Sequence, residues 1–149
     1  MKSCFMFGHR DCPDNMLPEI EKTIEQYYAA YDVRCFYVGN RGNFDRLAAI
    51  AVKKIKKKCA DVKLFLLLAH HPSERKVFLQ EGFDNSFYPP IEHVPPKYTI
   101  VRANQYMIEV VDTTICYVKH FGNARNLMQH ANKRGMVCKN VAEGEKEKR

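Results

Sequence analysis

Arg102-Ala-Asn-Gln-Tyr-Met-Ile-Glu-Val-Val-Asp-Thr-Thr-Ile-Cys-Tyr-Val-Lys-His-Phe-Gly-Asn-Ala-Arg-Asn126 is the stretch whose reading decides the fold. Met107, Ile108, Val110 and Val111 supply the apolar side of a helix, and Asp112 marks its end. Thr113 to Val118 is β-branched and aromatic, of strand length and apolar on both faces, which is the pattern of a strand inside a parallel sheet. Gly122 follows, and Asn123 stands where it could cap a helix over Ala124–Lys133. A strand, a glycine turn and a helix in that order aim free N–H groups and a positive helix end at one spot. Half of an anion or nucleotide site is therefore expected here.

Working outward, the same unit recurs. Ser3–Phe7 reads as a first strand that stops at Gly8-His9-Arg10, with a loop over Asp11–Asn15 and a helix over Leu17–Tyr31. Leu17, Ile20, Ile24, Tyr27, Tyr28 and Tyr31 fall at helical spacing and are read as core. Arg34–Val38 is a second strand, closed by Gly39-Asn-Arg-Gly-Asn-Phe-Asp45; Asn43 is a candidate N-cap for the helix running through Ile55. Val62–Ala69 is the third strand, and Met136–Val141 the last. Between them Ser73–Gln80 suggests a short helix. Gly82–Pro95 reads as a loop without regular structure, its aromatics Phe83, Phe87 and Tyr88 packing near the cleft or against a second copy of the chain. Alternating strands and helices predict a Rossmann-like three-layer α/β/α fold. Its five-stranded parallel sheet takes the order 3-2-1-4-5, and ligands bind at the carboxyl edge beside the switch between the first and fourth strands.

Composition narrows the class. The chain has 149 residues, enough for one cored domain, read here as residues 1–141 with a charged, flexible tail at 142–149. No apolar run approaches the roughly 20 residues that span a bilayer, and the N-terminal apolar segment is too short for a signal peptide, so a cytoplasmic protein is expected. The six cysteines lack C-x-x-C spacing. Cys4, Cys35, Cys116 and Cys138 fall in strands as small hydrophobes, and Cys12 is the one loop thiol. Five of the positive charges cluster at Lys53–Lys58, read as a solvated helix end, and neither this run nor the charged tail carries the interleaved aromatics of a nucleic-acid surface.

For chemistry, Arg10 and Arg41 are the anion-binding candidates, because a guanidinium presents a planar fork to phosphate and both lie in turns that the topology brings to one edge. The competing readings are a surface arginine, or a loop-stabilising salt bridge with Asp11 or Asp14. Asp45 would contact a ribose or base, or complement its helix N-terminus. Arg102 and Tyr106 share a helix face from which Asn104 projects away; the alternative is a buried hydrogen-bond network. His70-His71 are adjacent at a strand end, so they point apart and do not make a metal pair. There is no Gly-x-Ser-x-Gly, Walker or complete Gly-x-Gly-x-x-Gly motif, which removes the commonest hydrolase, NTPase and NAD readings.

Taken together, Gly8-His9-Arg10, Gly39 with Asp45, Arg102 with Asn104 and Tyr106-Met107, and Gly122-Asn123-Ala124 resemble the SLOG superfamily. These are Rossmann-like domains grouped with DprA and the LOG nucleotide hydrolases, and the nearest branch is the small YpsA-like proteins. The resemblance runs from Cys4 to about Val141. It implies a nucleotide-derived small-molecule ligand held by Gly8, His9, Arg10, Gly39, Asn40, Arg41, Gly42, Asp45, Arg102, Asn104, Tyr106, Gly122, Asn123 and Ala124. No resident cofactor, metal or membrane partner is implied. Where the branch commonly has Gly-Gly-Thr, this chain has Gly122-Asn123-Ala124. The glutamate that supports LOG-type glycosidic cleavage falls at Leu127, which has no acid–base chemistry. The leading expectation is a sensor or carrier domain. The alternatives are a nucleotide N-glycosidase or phosphoribohydrolase relying on Asp45, Glu92 or Glu109, and a DprA-like single-strand DNA module.

Overall fold

The computed structural model describes residues 2–147. Strands β1 (Lys2–Gly8), β2 (Val33–Val38), β3 (Lys63–Leu67), β4 (Asn85–Phe87), β5 (Thr113–Tyr117) and β6 (Val137–Asn140) form one sheet in the order β4-β3-β2-β1-β5-β6. Every neighbouring pair is parallel. The five expected strands are present in the expected order, and β5 is interior, all five of its residues being buried. The five-strand expectation needs one correction. Within the segment read as irregular, Asn85–Phe87 adds a sixth strand beside β3. It is held by the Asp84 N–H donating to Leu64 O, the Leu64 N–H donating to the Asp84 carboxylate, and the Leu68 N–H donating to Phe87 O, at 2.8 Å each.

Helices α1 (Leu17–Tyr31), α2 (Asn43–Lys58), α3 (Thr99–Val110) and α4 (Asn123–Lys133) cover the sheet, and a short α5 (Ala142–Glu147) follows β6 where order was expected to fade. The helix suggested for Ser73–Gln80 does not form; residues 72–75 make only turns. Alternation along β1 sorts the core into two layers. Cys4 and Met6 point to the side of α1 and α2, joining Ile20, Ile24, Phe44 and Val52. Phe5 and Phe7 point to the side of α3 and α4, joining Met107, Ile108, Leu127 and Ala131.

Of the α1 tyrosines, Tyr27 is buried, whereas Tyr31 is 44% exposed and not core. Tyr27 bridges two strands: its hydroxyl donates to Thr114 O at 2.7 Å and accepts the Lys139 N–H at 3.0 Å. The lysine cluster ending α2 is more than a solvated face. Lys54 pairs with Glu21 of α1 at 2.7 Å and Lys56 with Asp84 at 2.6 Å, securing both α1 and the β4 segment. The aromatics of that segment turn inward. Phe83 packs beside Lys53 of α2, and Phe87 lies against Tyr37 and Tyr106, with ring centroids 5.8 and 6.1 Å away. Among the described residues no helix is long and apolar enough to cross a membrane.

Candidate functional site

Parallel strands send all their βα turns out on one edge, and there the turns after β1, β2 and β5 surround a cleft of about 480 Å³. Ten of the fourteen expected site residues line it: Gly8, His9 and Arg10 from the first turn, Gly39, Arg41 and Asp45 from the second, Asn104 from α3, and Gly122, Asn123 and Ala124 from the last. The other four lie elsewhere. Asn40 faces a neighbouring hollow. Gly42 packs under Arg10, and a Cβ on it would stand 2.5 Å from Arg10 Cα. Arg102 reaches along its own helix to Glu109 at 3.4 Å, and Tyr106 stacks on Phe87. Helix rotation explains the split, because Ile100, Ala103 and Asn104 share the cleft-facing side of α3 at i, i+3 and i+4, which Arg102 and Tyr106 do not.

Both asparagines read as caps occupy the first helical position instead. The N-cap residues are Gly42 and Gly122, and neither helix start has a side-chain cap. The Asn43 side chain is engaged away from the helix end: its amide donates to Asp14 at 2.8 Å and its oxygen accepts from Arg46 Nε at 2.8 Å. The first turn of α4 thus opens onto the cleft without a side-chain acceptor, which favours an anion there, whereas the first turn of α2 carries Asp45 and its Asn43 N–H donates to Arg10 O at 3.0 Å.

His9 has a different part from the one expected. It is buried at 7% exposure, and its Nε2 accepts the backbone N–H groups of Lys119 at 2.9 Å and His120 at 3.2 Å. Its ring stacks on His120 with centroids 3.6 Å apart. Accepting at Nε2 places the proton of the neutral ring on Nδ1. Burial, and then the His120 charge, lower its pKa. The histidine is a peg that fixes the turn after β5 to the turn after β1, and it also lines the cleft.

Asp45 accepts the Arg41 N–H at 2.9 Å and sits 3.0 Å from where a Cβ on Gly39 would lie. Burial pushes its carboxyl up to about 6, against the lowering effects of the Arg41 N–H, Arg41 and Arg10. It is the one candidate carboxylate that reaches the cleft: Glu109 is held by Arg102, and Glu92 lines a separate hollow beside His70. Neither Arg10 nor Arg41 forms a side-chain ion pair among the described residues, so the salt bridge with Asp11 or Asp14 is not formed, while Arg10 is exposed as a surface arginine would be; Asp14 binds Arg46 at 2.7 Å, and Asp11 lies 3.5 Å from His120. The Arg41 pKa is lowered by burial and by the nearby Arg75 and Arg10.

Sequence reasoning missed Asp11, Ile100, His120 and Phe121, which also line the cleft. Phe121 stands at 86% exposure with the Arg125 guanidinium 4.9 Å from its ring centroid. Its position one residue before Gly122 was the available signal. Leu127 forms part of the apolar wall, and Cys12, read as the loop thiol, is buried at 2% exposure. The thiol whose pKa falls is Cys138, down to about 7, through hydrogen bonding with Cys116 at 3.9 Å.

No protein-family model matches the chain, and the search of curated proteins returned no match. The functional reading stands on the geometry above.

Proposed function

We propose that the carboxyl-edge cleft binds a nucleotide or nucleotide-derived small molecule, and that the protein serves as a sensor or carrier domain of the SLOG kind. One observation supports this reading: Arg10 and Arg41, which form no ion pair among the described residues, line a cleft onto which the uncapped start of α4 opens. Two guanidinium groups beside a helix start suit phosphate, each charge-assisted contact contributing roughly 1.5–3 kcal/mol. Apolar wall from Phe5, Phe7, Ile100 and Leu127 suits a base or sugar face, and the exposed Phe121 ring at the mouth suits stacking. Substituting Arg10 and Arg41 together by Ala should abolish stabilisation by a nucleoside monophosphate panel in thermal unfolding while leaving the unliganded protein folded. An unchanged nucleotide-induced shift in the double variant would remove this assignment.

A second reading rests on Asp45. A carboxyl group with its pKa raised to about 6 inside a cleft has the profile of a general acid or base, which is what a nucleotide N-glycosidase requires. Incubation with the same panel separates the two readings: released base identifies an enzyme, and stabilisation without turnover identifies a binder.

A further inference from the structure

Beside the main cleft lies a second hollow of about 290 Å³. The two share three residues, Arg41, Leu67 and Ala69, so Arg41 forms part of the wall between them. The side hollow is lined by Arg41, His70, Arg75 and Lys76, and no carboxylate lines it. Its floor is the end of β3. Together with Arg10 in the main cleft, Arg41, Arg75 and Lys76 set cationic side chains over two adjoining cavities, with the His70 imidazole among them.

Cations gathered in this way repel one another, and a partly buried site screens that repulsion poorly. The repulsion acts on both sides of the wall, against a smaller opposing pull from Asp45 on Arg41 and from Glu74 on His70. Arg75 and Arg10 each help to lower the Arg41 pKa, and Arg75 and Arg41 each help to lower that of His70, after burial as the main cause in both. A single phosphate in the main cleft would meet Arg10 and Arg41 but leave Arg75 and Lys76 unanswered. A phosphate chain carries its charge along its length and can engage both faces of Arg41.

We propose that the ligand carries an oligophosphate chain that runs past Arg41 from the main cleft into the side hollow, where Arg75 and Lys76 hold its distal phosphate. The inference rests on the nucleotide reading above and adds the class: a nucleoside di- or triphosphate is preferred to the monophosphate.

Titration calorimetry on the full chain at one ionic strength, with AMP, ADP, ATP and inorganic tripolyphosphate, tests it. The expected result is an ATP affinity about tenfold or more above that of AMP, as one added charge-assisted contact would give. Replacing Arg75 and Lys76 together by Ala should collapse that ratio toward one; both side chains are exposed, and circular dichroism checks that the fold persists. Arg10→Ala should weaken AMP and ATP alike. Equal affinities for AMP and ATP, or a ratio that survives the double substitution, would overturn the oligophosphate inference while leaving the cleft reading intact. If no nucleotide binds, the cleft reading fails by itself and tripolyphosphate decides the side hollow. Binding lost in the double variant supports it, and absence of binding ends it. A single-stranded oligonucleotide that binds more tightly than ATP, with steep salt dependence, would replace the small molecule with nucleic acid.

Discussion

Gly42 and Gly122 stand at the same place in two copies of one unit, each the N-cap of the helix that follows a core strand, yet they are glycines for opposite reasons. Gly42 has φ −179°, an extended conformation open to any residue, but it has no room: Arg10 Cα, Cγ and Cβ lie 2.5–2.7 Å from where its Cβ would be. Gly122 has all the room it could need, with nothing within 4 Å of a Cβ, but its φ of 144° is one that side chains rarely adopt. The turn after β2 is thus locked by packing against the turn after β1. The turn after β5 is held by its backbone conformation and by the His9 peg. One wall of the cleft is rigid through contact, and the other through a few specific bonds.

The contrast sets the order of expected effects. Gly42→Ala should cost the most, about 3 kcal/mol, because backbone of the first turn must move and carries Arg10 with it. Urea unfolding measures the loss, and anion binding should weaken in parallel. His9→Ala should cost about 2–3 kcal/mol by emptying the buried space of the ring and removing its bonds to the Lys119 and His120 N–H groups, read by the same unfolding and by faster amide exchange at those two positions. Gly122→Ala should cost about 2 kcal/mol of conformational strain, with the turn relaxing into open space and the first turn intact. A Gly122→Ala loss matching that of Gly42→Ala would end the distinction between the two turns.

The smallest effects concern pH and run in opposite directions on the two walls. The His9 pKa is lowered below 6.5, so its contribution is complete above that pH and is lost as pH falls beneath it, when the unfolded chain takes up the proton first. The Asp45 pKa is raised to about 6, so between roughly pH 4 and 6 the folded state binds more protons, and this group favours folding more as pH falls. Acidification from pH 7 to 5 should therefore lower the protection of the Lys119 and His120 amides, with rates corrected for the pH dependence of intrinsic exchange, and should weaken the Arg41 N–H bond to Asp45 as that carboxylate takes up its proton. Asp45→Asn should raise stability by about 1 kcal/mol at pH 7.5, by removing a charge that burial penalises, and should leave no gain on acidification. A pH-independent increase would assign the effect to packing.

The main strands and helices were legible because each is a run of one clear period: Leu17–Tyr31 matches α1 at both ends, and Thr113–Tyr117 is apolar on both faces. Strand β4 was not legible, because three residues carry no period and its register comes from Asp84 meeting Leu64, a pairing twenty positions apart. The glycine turns of the cleft followed from topology alone. The rotation of α3 did not, and without it Arg102 and Tyr106 could not be told from Ile100 and Ala103. His9 shows a different limit: a histidine in a turn after a strand looks the same in sequence whether its ring nitrogen faces a ligand or two backbone amides.

The Tyr27 hydroxyl also bears on the order in which the molecule can assemble. Its partners lie 87 and 112 residues away, on two different strands. Helix α1 can form early from local bonds, but its phenol stays without those two partners until β5 and β6 have arrived. Closing loops of that length is slow, and the reward is collected only when both strands are in register. The edge strand β6 and the first helix are therefore expected to dock as one late, cooperative event, and the cleft, whose wall includes the turn between β5 and α4, is expected to be completed near the end of folding.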